Sequence, residues 1–308
     1  MRFFKKTNII FMQKRKLWYS ISAAVIVAGF VSLFMKGLDY GVDFLGGTEI
    51  VVQFRDDIEI GEIRSAMEKI GFGQAEIKTF GSQREILIRT DLQEQGTTIG
   101  DRIRSGLSLH VPQNPFTVLK EDKIGPKIGA ELRRDALYAI IASLIVILLY
   151  VAFRFKFIYG VGAVAALFHD VLITLGLISI FNGVVPDLNL EITQNMVAAF
   201  LTLVGLSVND TVVIFDRIRE NQKIFRGMRL IDLINKSINE TLSRTIITMG
   251  TIVLVLGVLF AFGGEVNRGF AFTLLIGIIT GTYSSIYIAS AIVVDWAERT
   301  AQKAQLID

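Results

Sequence analysis

Six long, almost uninterrupted runs of apolar residues constrain the fold of this chain more than any other feature of its sequence. Such a run predicts a membrane-spanning helix, because about 20 residues are needed to cross a hydrocarbon core roughly 30 Å thick. The runs cover residues 17–35, 136–153, 158–181, 195–215, 245–263 and 269–294. Together with a mean hydropathy of +0.52, they predict an α-helical integral membrane protein with six transmembrane helices.

The first run follows a basic segment, as the core of a signal peptide also does. It is longer than a usual signal core, and no small-x-small cleavage site follows it. We therefore expect residues 1–36 to form a cytoplasmic N-terminus and an uncleaved first helix.

Lys and Arg residues concentrate in alternate connections between the runs. They are frequent before the first run, around Arg154 and Lys156, between the fourth and fifth runs, and in the tail at 295–308. The opposite short connections hold only Arg268, against carboxylates that include Glu191 and Glu265. The positive-inside rule then places both termini in the cytoplasm and residues 37–135 on the other side. The six helices and this orientation predict a multi-pass protein of the cell membrane.

Residues 37–135 have the mixed composition of a water-exposed domain. Alternation or β-rich composition predicts strands at 48–54, 75–80, 84–90 and 115–121, and helical spacing predicts helices at 60–70 and 97–109. The order β-α-β-β-α-β predicts a ferredoxin-like α+β domain between the first and second transmembrane helices. Residues 136–294 then form the remaining five-helix part of the bundle.

The cytoplasmic segment 216–243 is rich in charge but carries apolar residues near helical spacing. They are Phe225, Leu230, Ile231, Leu233, Ile234, Ile238 and Leu242. This pattern predicts an amphipathic helix on the inner membrane surface. A solvated connector is the alternative.

The composition excludes several kinds of chemistry. The chain has no Cys, which excludes disulfides, cysteine-ligated metals and thiol nucleophiles, and it has only two His. The sequence contains no P-loop, G-x-S-x-G or H-E-x-x-H motif. We expect no enzyme, no cofactor and no nucleic-acid partner, so any work must be driven by an ion gradient.

Three ionisable residues lie inside the predicted spans, namely His169, Asp170 and Asp210, and Asn209 precedes the last of them. Charge in lipid costs at least ~2.5 kcal/mol, so such residues are candidates for function. Asp210 lies roughly 8 Å inside its span, at about 1.5 Å per residue. The next helix runs antiparallel and begins at Arg244, whose long side chain is expected to pair with Asp210. A carboxylate that gains and loses such a partner is a proton carrier.

Alternatives remain for each of these residues. Arg244 could instead be an anchor at the membrane interface that fixes the topology. Asp210 could instead belong to a static pair that only contributes to packing. His169 and Asp170 are adjacent, so they point about 100° apart on a helix. We expect one of them to face the bundle and the other to contact a neighbouring helix. Both a functional and a structural role stay open for this pair.

Glycines mark the passage from the first helix to the first strand. Gly41, Gly46 and Gly47 permit backbone angles that are closed to other residues, which suits a hinge or a tight junction. Gly277-x-x-x-Gly281 in the last run permits close helix packing, although this motif is weak alone.

Four segments carry a family resemblance. They are "GVDFLGGTEI", "IGPKIGAELRRDALYA", "ALFHDVLITLG" and "LSVNDTVVIFDRIREN…SINETLSRTIITMGT". Together they span nearly the whole chain, and the last is long and specific. They resemble the SecD/SecF family of bacterial protein-export membrane proteins, on its SecF side, within the resistance-nodulation-division superfamily.

The resemblance implies a membrane subunit that pairs with SecD beside the SecYEG channel. It implies that proton flow drives the late, outward movement of a translocating unfolded polypeptide. The Asp of "NDT" and the Arg of "LSRT" would belong to the proton path, and here they are Asp210 and Arg244. Two other functions stay open: a passive scaffold of the export complex, and a half-transporter of small lipophilic molecules. Sodium is an alternative coupling ion.

Overall fold

The structure is a computed structural model that describes residues 7–91, 98–184 and 188–305. Parts of the predicted N-terminal segment and tail, residues 1–6 and 306–308, lie outside these ranges, as does the start of the helix predicted at 97–109.

The elements follow one another along the chain as a helix, an α/β segment and then long helices. They are α1 (Arg15–Lys36), α2 (Val42–Leu45), β1 (Gly47–Phe54), α3 (Ile60–Lys69), β2 (Glu76–Thr79), β3 (Glu85–Thr90), α4 (Thr98–His110), β4 (Phe116–Ile124), α5 (Pro126–Arg154), α6 (Phe157–Phe181), α7 (Gln194–Ile224), α8 (Leu230–Phe262), α9 (Glu265–Ser284) and α10 (Ser290–Gln305). A short 3₁₀ turn (Met12–Lys14) precedes α1, and a π-helical turn (Ser285–Ala289) joins α9 to α10.

Six helices in the described part of the chain are long and apolar enough to cross a membrane, which confirms the six predicted spans. They are α1, α5, α6, α7, α8 and the continuous unit of α9, the π turn and α10. At least half of the apolar stretch of α6, α7 and the last unit is buried in the bundle, whereas α1, α5 and α8 are largely exposed. The bundle therefore has three central helices and three peripheral ones.

Small residues allow helices of the bundle to approach closely. Gly29 of α1 and Gly176 of α6 cross so tightly that a Cβ on Gly29 would lie 2.7 Å from the Cα of Gly176. At Gly277 of α9, the side chain of Leu203 from α7 occupies the space where a Cβ would stand. The close packing expected from the Gly277-x-x-x-Gly281 motif is thus present.

The α/β segment forms a four-stranded antiparallel sheet with the order β2-β3-β1-β4. This is the order of a ferredoxin-like β-α-β-β-α-β domain, as predicted. Alternate strand residues such as Ile50 and Ile88 point to one face, where they pack on Ile63 of α3 and Ile103 of α4. The other face points away from these helices. We call the end of the bundle beneath this domain the domain end.

The segment predicted to be one amphipathic helix at 216–243 has a different structure. Residues up to Ile224 continue α7, a short connection follows, and α8 begins at Leu230 and runs without a break through the fifth span. Leu233, Ile234 and Ile238 are buried in the cluster that contains Ile218 of α7. Apolar residues at helical spacing fit a helix packed on α7 as well as a helix lying on lipid. Periodicity alone therefore could not distinguish these two arrangements.

Candidate functional site

Asp210 lies on the face of α7 that is turned into the bundle, and it is 3% exposed. Its Oδ1 accepts a hydrogen bond of 2.8 Å from the Thr245 hydroxyl of α8. Its Oδ2 is buried and has no hydrogen-bond partner among the described residues. A buried carboxylate with only one of its oxygens bonded is under-satisfied, which is unusual for a purely structural group.

Arg244 does not form the expected ion pair with Asp210 in this structure. Its side chain is exposed, and no ion pair between the two is found within the described residues. The reason is helical geometry: residues adjacent on a helix point about 100° apart, so when Thr245 faces α7, Arg244 points elsewhere. Asn209, the neighbour of Asp210, is exposed for the same reason. The roles of Arg244 and Asn209 in a proton path stay predictions.

His169 and Asp170 of α6 are both buried, at 7% and 1% exposed, so neither turns away from the bundle. His169 Nδ1 lies 2.9 Å from Asp170 Oδ1. Asp170 Oδ2 accepts hydrogen bonds from the Ser207 hydroxyl of α7 at 2.5 Å and the Ser284 hydroxyl of α9 at 2.9 Å. Both oxygens of Asp170 are therefore bonded, in contrast to Asp210.

The far side of the His169 ring extends this network to a fourth helix. His169 Nε2 lies 2.9 Å from the Ser22 hydroxyl of α1 and 3.0 Å from the Tyr283 hydroxyl of α9. Ser22, Ser207 and Tyr283 could not be identified from the sequence, because hydroxyls are common in apolar helices and nothing in the sequence indicates which residue they bond to.

The two carboxylates lie on one polar seam. Ser207 and Asp210 are three residues apart and so share a face of α7. Thr211 follows Asp210 directly and lies one turn beyond Ser207, and its hydroxyl is 2.8 Å from the hydroxyl of Ser285. Ser284 bonds to α6 and the adjacent Ser285 to α7, at the point where the helix becomes π-helical. Single π turns of this kind are frequent at functional sites.

The three glycines predicted to form a hinge lie in close contact with other backbone. Gly41 donates its N–H to the Ile192 carbonyl at 2.9 Å. Gly46 and Gly47 have φ of 78° and 118°, in the range that favours glycine. A Cβ on Gly47 would lie 2.5 Å from the Thr90 carbonyl oxygen. The geometry at these positions is that of a tight junction, and the hinge role stays a prediction.

The fold and the seam together define a class of protein. Six membrane-spanning helices with titratable side chains buried between them form a polytopic membrane protein, and buried titratable side chains are typical of ion pathways. A small ferredoxin-like domain stands on one end of the bundle.

Comparison with known proteins identifies the family. Residues 108–299 match the family described as "Protein export membrane protein SecD/SecF, C-terminal". Residues 31–58 match the "SecD/SecF GG Motif". The chain belongs to the SecD/SecF family.

Curated relatives resemble this chain over almost its whole length. The "Protein translocase subunit SecF" of Rhodothermus marinus is 44% identical over 306 residues, covering 99% of each chain. The protein of the same name from Vibrio alginolyticus is 42% identical over 92% of this chain and 89% of its own. These relatives are named as translocase subunits, which are transport components of the Sec export machinery.

A solved structure shares the fold. The crystal structure of SecDF, "a translocon-associated membrane protein", from Thermus thermophilus is 37% identical and superposes with a TM-score of 0.83 over 95% of this chain. SecDF in a "Super-membrane-facing form" is 36% identical with a TM-score of 0.71. The present chain spans only 39% and 41% of those two SecDF chains.

Proposed function

We propose that this chain acts with a SecD subunit, beside the SecYEG channel, to drive protein export with the proton gradient. In this role it promotes the late movement and release of polypeptides crossing the bacterial cytoplasmic membrane. It is a mechanical transport component rather than an enzyme. The observation that carries the proposal is the buried Oδ2 of Asp210, which has no hydrogen-bond partner in the described part of the chain.

The buried carboxylate of Asp210 accepts one hydrogen bond, from Thr245, and its Oδ2 accepts none from the described residues. Oδ2 is therefore the oxygen at which a proton can be held. A proton crossing the membrane releases ~2.3 kcal/mol per 100 mV. That energy shifts a two-state equilibrium roughly fiftyfold, which is enough to move a bundle between two arrangements.

The exposed surfaces of the bundle support a SecD partner. The peripheral helices α5 and α8 bury little of their apolar length. The polar side chains of Asn209 on α7 and Arg244 on α8 are exposed on the surface of the bundle. Exposed polar groups at membrane depth are costly in lipid, so a neighbouring protein surface is the better environment for them. The relatives of known structure are SecDF chains of more than twice this length, which is consistent with a second half that covers these helices.

The α/β domain supplies the outer part of the proposed machine. With both termini cytoplasmic, as the distribution of Lys and Arg predicts, this domain lies outside and meets the emerging polypeptide. We propose that it moves when Asp210 changes protonation, and that this movement pulls on or holds the polypeptide. Lipid surrounds the rest of the bundle.

The substitution Asp210→Asn tests the proposal, because it keeps the shape of the side chain and removes its titration. We expect export by the SecD-bound variant to fall to the level without this subunit, while insertion and SecD binding are unchanged. Asp216→Asn is the matched control on the same helix, since Asp216 is half-exposed at the helix exit and pairs with Arg154 at 2.7 Å.

The measurement is export into proteoliposomes under an imposed proton gradient, with a sodium gradient in a parallel arm. Normal export from Asp210→Asn would contradict the proposal and leave a passive scaffold. Export driven by sodium alone would replace the proton by sodium as the coupling ion.

A further inference from the structure

A ladder of charged side chains crosses the sheet face that points away from α3 and α4. The strand register places Glu76 of β2, Arg89 of β3, Glu49 of β1 and Asp122 of β4 in one row. Arg89 pairs with Glu76 at 3.0 Å and with Glu49 at 2.6 Å. Lys120 in the next row pairs with Glu49 at 3.1 Å and Asp122 at 2.6 Å. Direct cross-strand neighbours of opposite charge stabilise one another.

Glu191 joins this ladder from the helix bundle. It belongs to the connection between α6 and α7, and it is 5% exposed. Its two oxygens form ion pairs with Lys78 of β2 and Arg89 of β3. Arg89 is itself 7% exposed, so the contact is largely shielded from water. Charge-assisted hydrogen bonds of this kind are among the stronger polar contacts.

The ladder is balanced without Glu191. Arg89, Lys78 and Lys120 face Glu49, Glu76 and Asp122, three cations against three carboxylates. Burial alone would raise the pKa of Glu49, but Lys120 and Arg89 outweigh it and hold that pKa below its usual value. The ladder therefore does not need Glu191 to neutralise its charges, and the ion pairs of Glu191 connect the domain to the bundle.

The connection that carries Glu191 leads directly into α7 and is bonded to the linker before β1. Ile192 pairs with the linker before β1, accepting from Gly41 N–H and donating to the Asp39 carbonyl at 2.7 Å. Asp43 Oδ2 accepts the N–H of Gln194, the first residue of α7, at 2.8 Å. From Gln194 to Asp210 the helix is continuous, a distance of about 24 Å at 1.5 Å per residue.

We propose that Glu191 is a positioning residue that holds the α/β domain on the domain end of α7, so that the domain follows this helix when it moves. As far as export is concerned, this rests on the proposed function, whereas the docking of the domain does not. Displacement of α7 is transmitted through Glu191 to Lys78 and Arg89, which lie on two different strands. A contact to two strands fixes the orientation of the sheet as well as its distance.

The test is the substitution Glu191→Gln in the full complex with SecD. Because this chain has no Cys, Glu68→Cys on α3 and Phe262→Cys at the end of α8 introduce a unique pair of sites for spin labels, with a cysteine-free SecD. We expect the fraction of molecules with a displaced domain to rise about tenfold, as the loss of one charge-assisted hydrogen bond allows. Export should fall in parallel, and Glu191→Asp, which keeps the charge, should restore part of both.

Asp57→Asn is the matched control, because it removes an exposed ion pair of 2.7 Å with Arg84 on the same domain. We expect it to change neither the distances nor export. Lys78→Gln is the second variant, and we expect a smaller displacement of the same kind. An unchanged distance distribution in both Glu191→Gln and Lys78→Gln would overturn the proposal. A displaced domain in Glu191→Gln together with normal export by Asp210→Asn would leave the docking role intact and refute the proposed function instead.

Discussion

Asp210 depends on one neighbouring hydroxyl, and this contact can be tested separately from the carboxylate. Thr245→Val keeps the volume of the side chain but removes the 2.8 Å hydrogen bond to Oδ1. A hydrogen bond to a charged group contributes about 1.5–3 kcal/mol. We therefore expect export to fall about tenfold or more in Thr245→Val and to stay near normal in Thr245→Ser. Equal export by the two variants would show that the hydroxyl has no role at this site.

Arg244 is the residue for which sequence and structure differ most. We expect Arg244→Ala to impair export and Arg244→Lys to support it only in part, because an ammonium lacks the planar fork of the guanidinium. The measurement is export by the SecD-bound variants, with insertion checked separately. Since Arg244 does not pair with Asp210 in the isolated chain, a fully active Arg244→Ala protein would reduce it to a topological anchor.

The buried carboxylates could be predicted from sequence, but their partners could not. A charge inside an apolar run is costly wherever it points, so Asp170 and Asp210 are visible in the sequence alone. Which residue bonds to these carboxylates depends on how each helix is rotated about its axis. On α8, Thr245 bonds to Asp210, and its neighbour Arg244 does not. Sequence supplies the helix but not its rotation about its own axis.

At the scale of elements, the crossing of α1 and α6 depends on the absence of side chains. A Cβ on Gly176 would lie 2.8 Å from the Gly29 Cα, so Gly176→Ala must push the helices apart. Overpacking typically costs about 1–3 kcal/mol, which exceeds the ~1 kcal/mol gained from the helix propensity of Ala. We expect a lower midpoint of thermal unfolding for the purified protein.

Gly205→Ala is the matched control for this crossing, because nothing lies within 4 Å of its Cβ position. It should leave the midpoint unchanged or raise it slightly. If Gly176→Ala behaved like Gly205→Ala, the tight crossing of α1 and α6 would not exist in the membrane.

The elements themselves were largely predictable. Run length predicts the six spans, and alternation in residues 48–54 or 84–90 predicts strands, which the structure shows paired antiparallel. The exception is the start of α8, where the apolar stripe of Leu233 and Ile238 fits a lipid surface as well as it fits α7. Periodicity shows that a face is buried and does not show what buries it.

At the scale of the whole molecule, the position of the domain on the bundle was beyond the sequence. In the sequence, Glu191 resembles an ordinary carboxylate of a loop, and Arg89 resembles an exposed charged residue of a strand. Only the tertiary fold brings them together, across about 100 residues of chain. The contact between the domain and the bundle therefore could not be predicted from the sequence.

A disulfide can test whether the linker to the domain moves relative to α7. The Cβ position of Gly41 lies 3.7 Å from the Cβ of Thr193, within the range that a disulfide accepts. Gly41→Cys with Thr193→Cys would therefore form the only disulfide in a chain that has no Cys of its own. If the domain follows α7 as one body, the oxidised protein should export as well as the reduced one.

The control for this experiment is Thr193→Cys alone, because Thr193 caps α7 by accepting from the Met196 N–H, and its loss costs about 1 kcal/mol. Oxidation should not change export by this single variant. A loss of export on oxidation of the double variant, reversed by a reductant, would instead show that Gly41 opens during the cycle. The linker would then separate from α7 at Gly41, and the domain would move against α7 instead of with it.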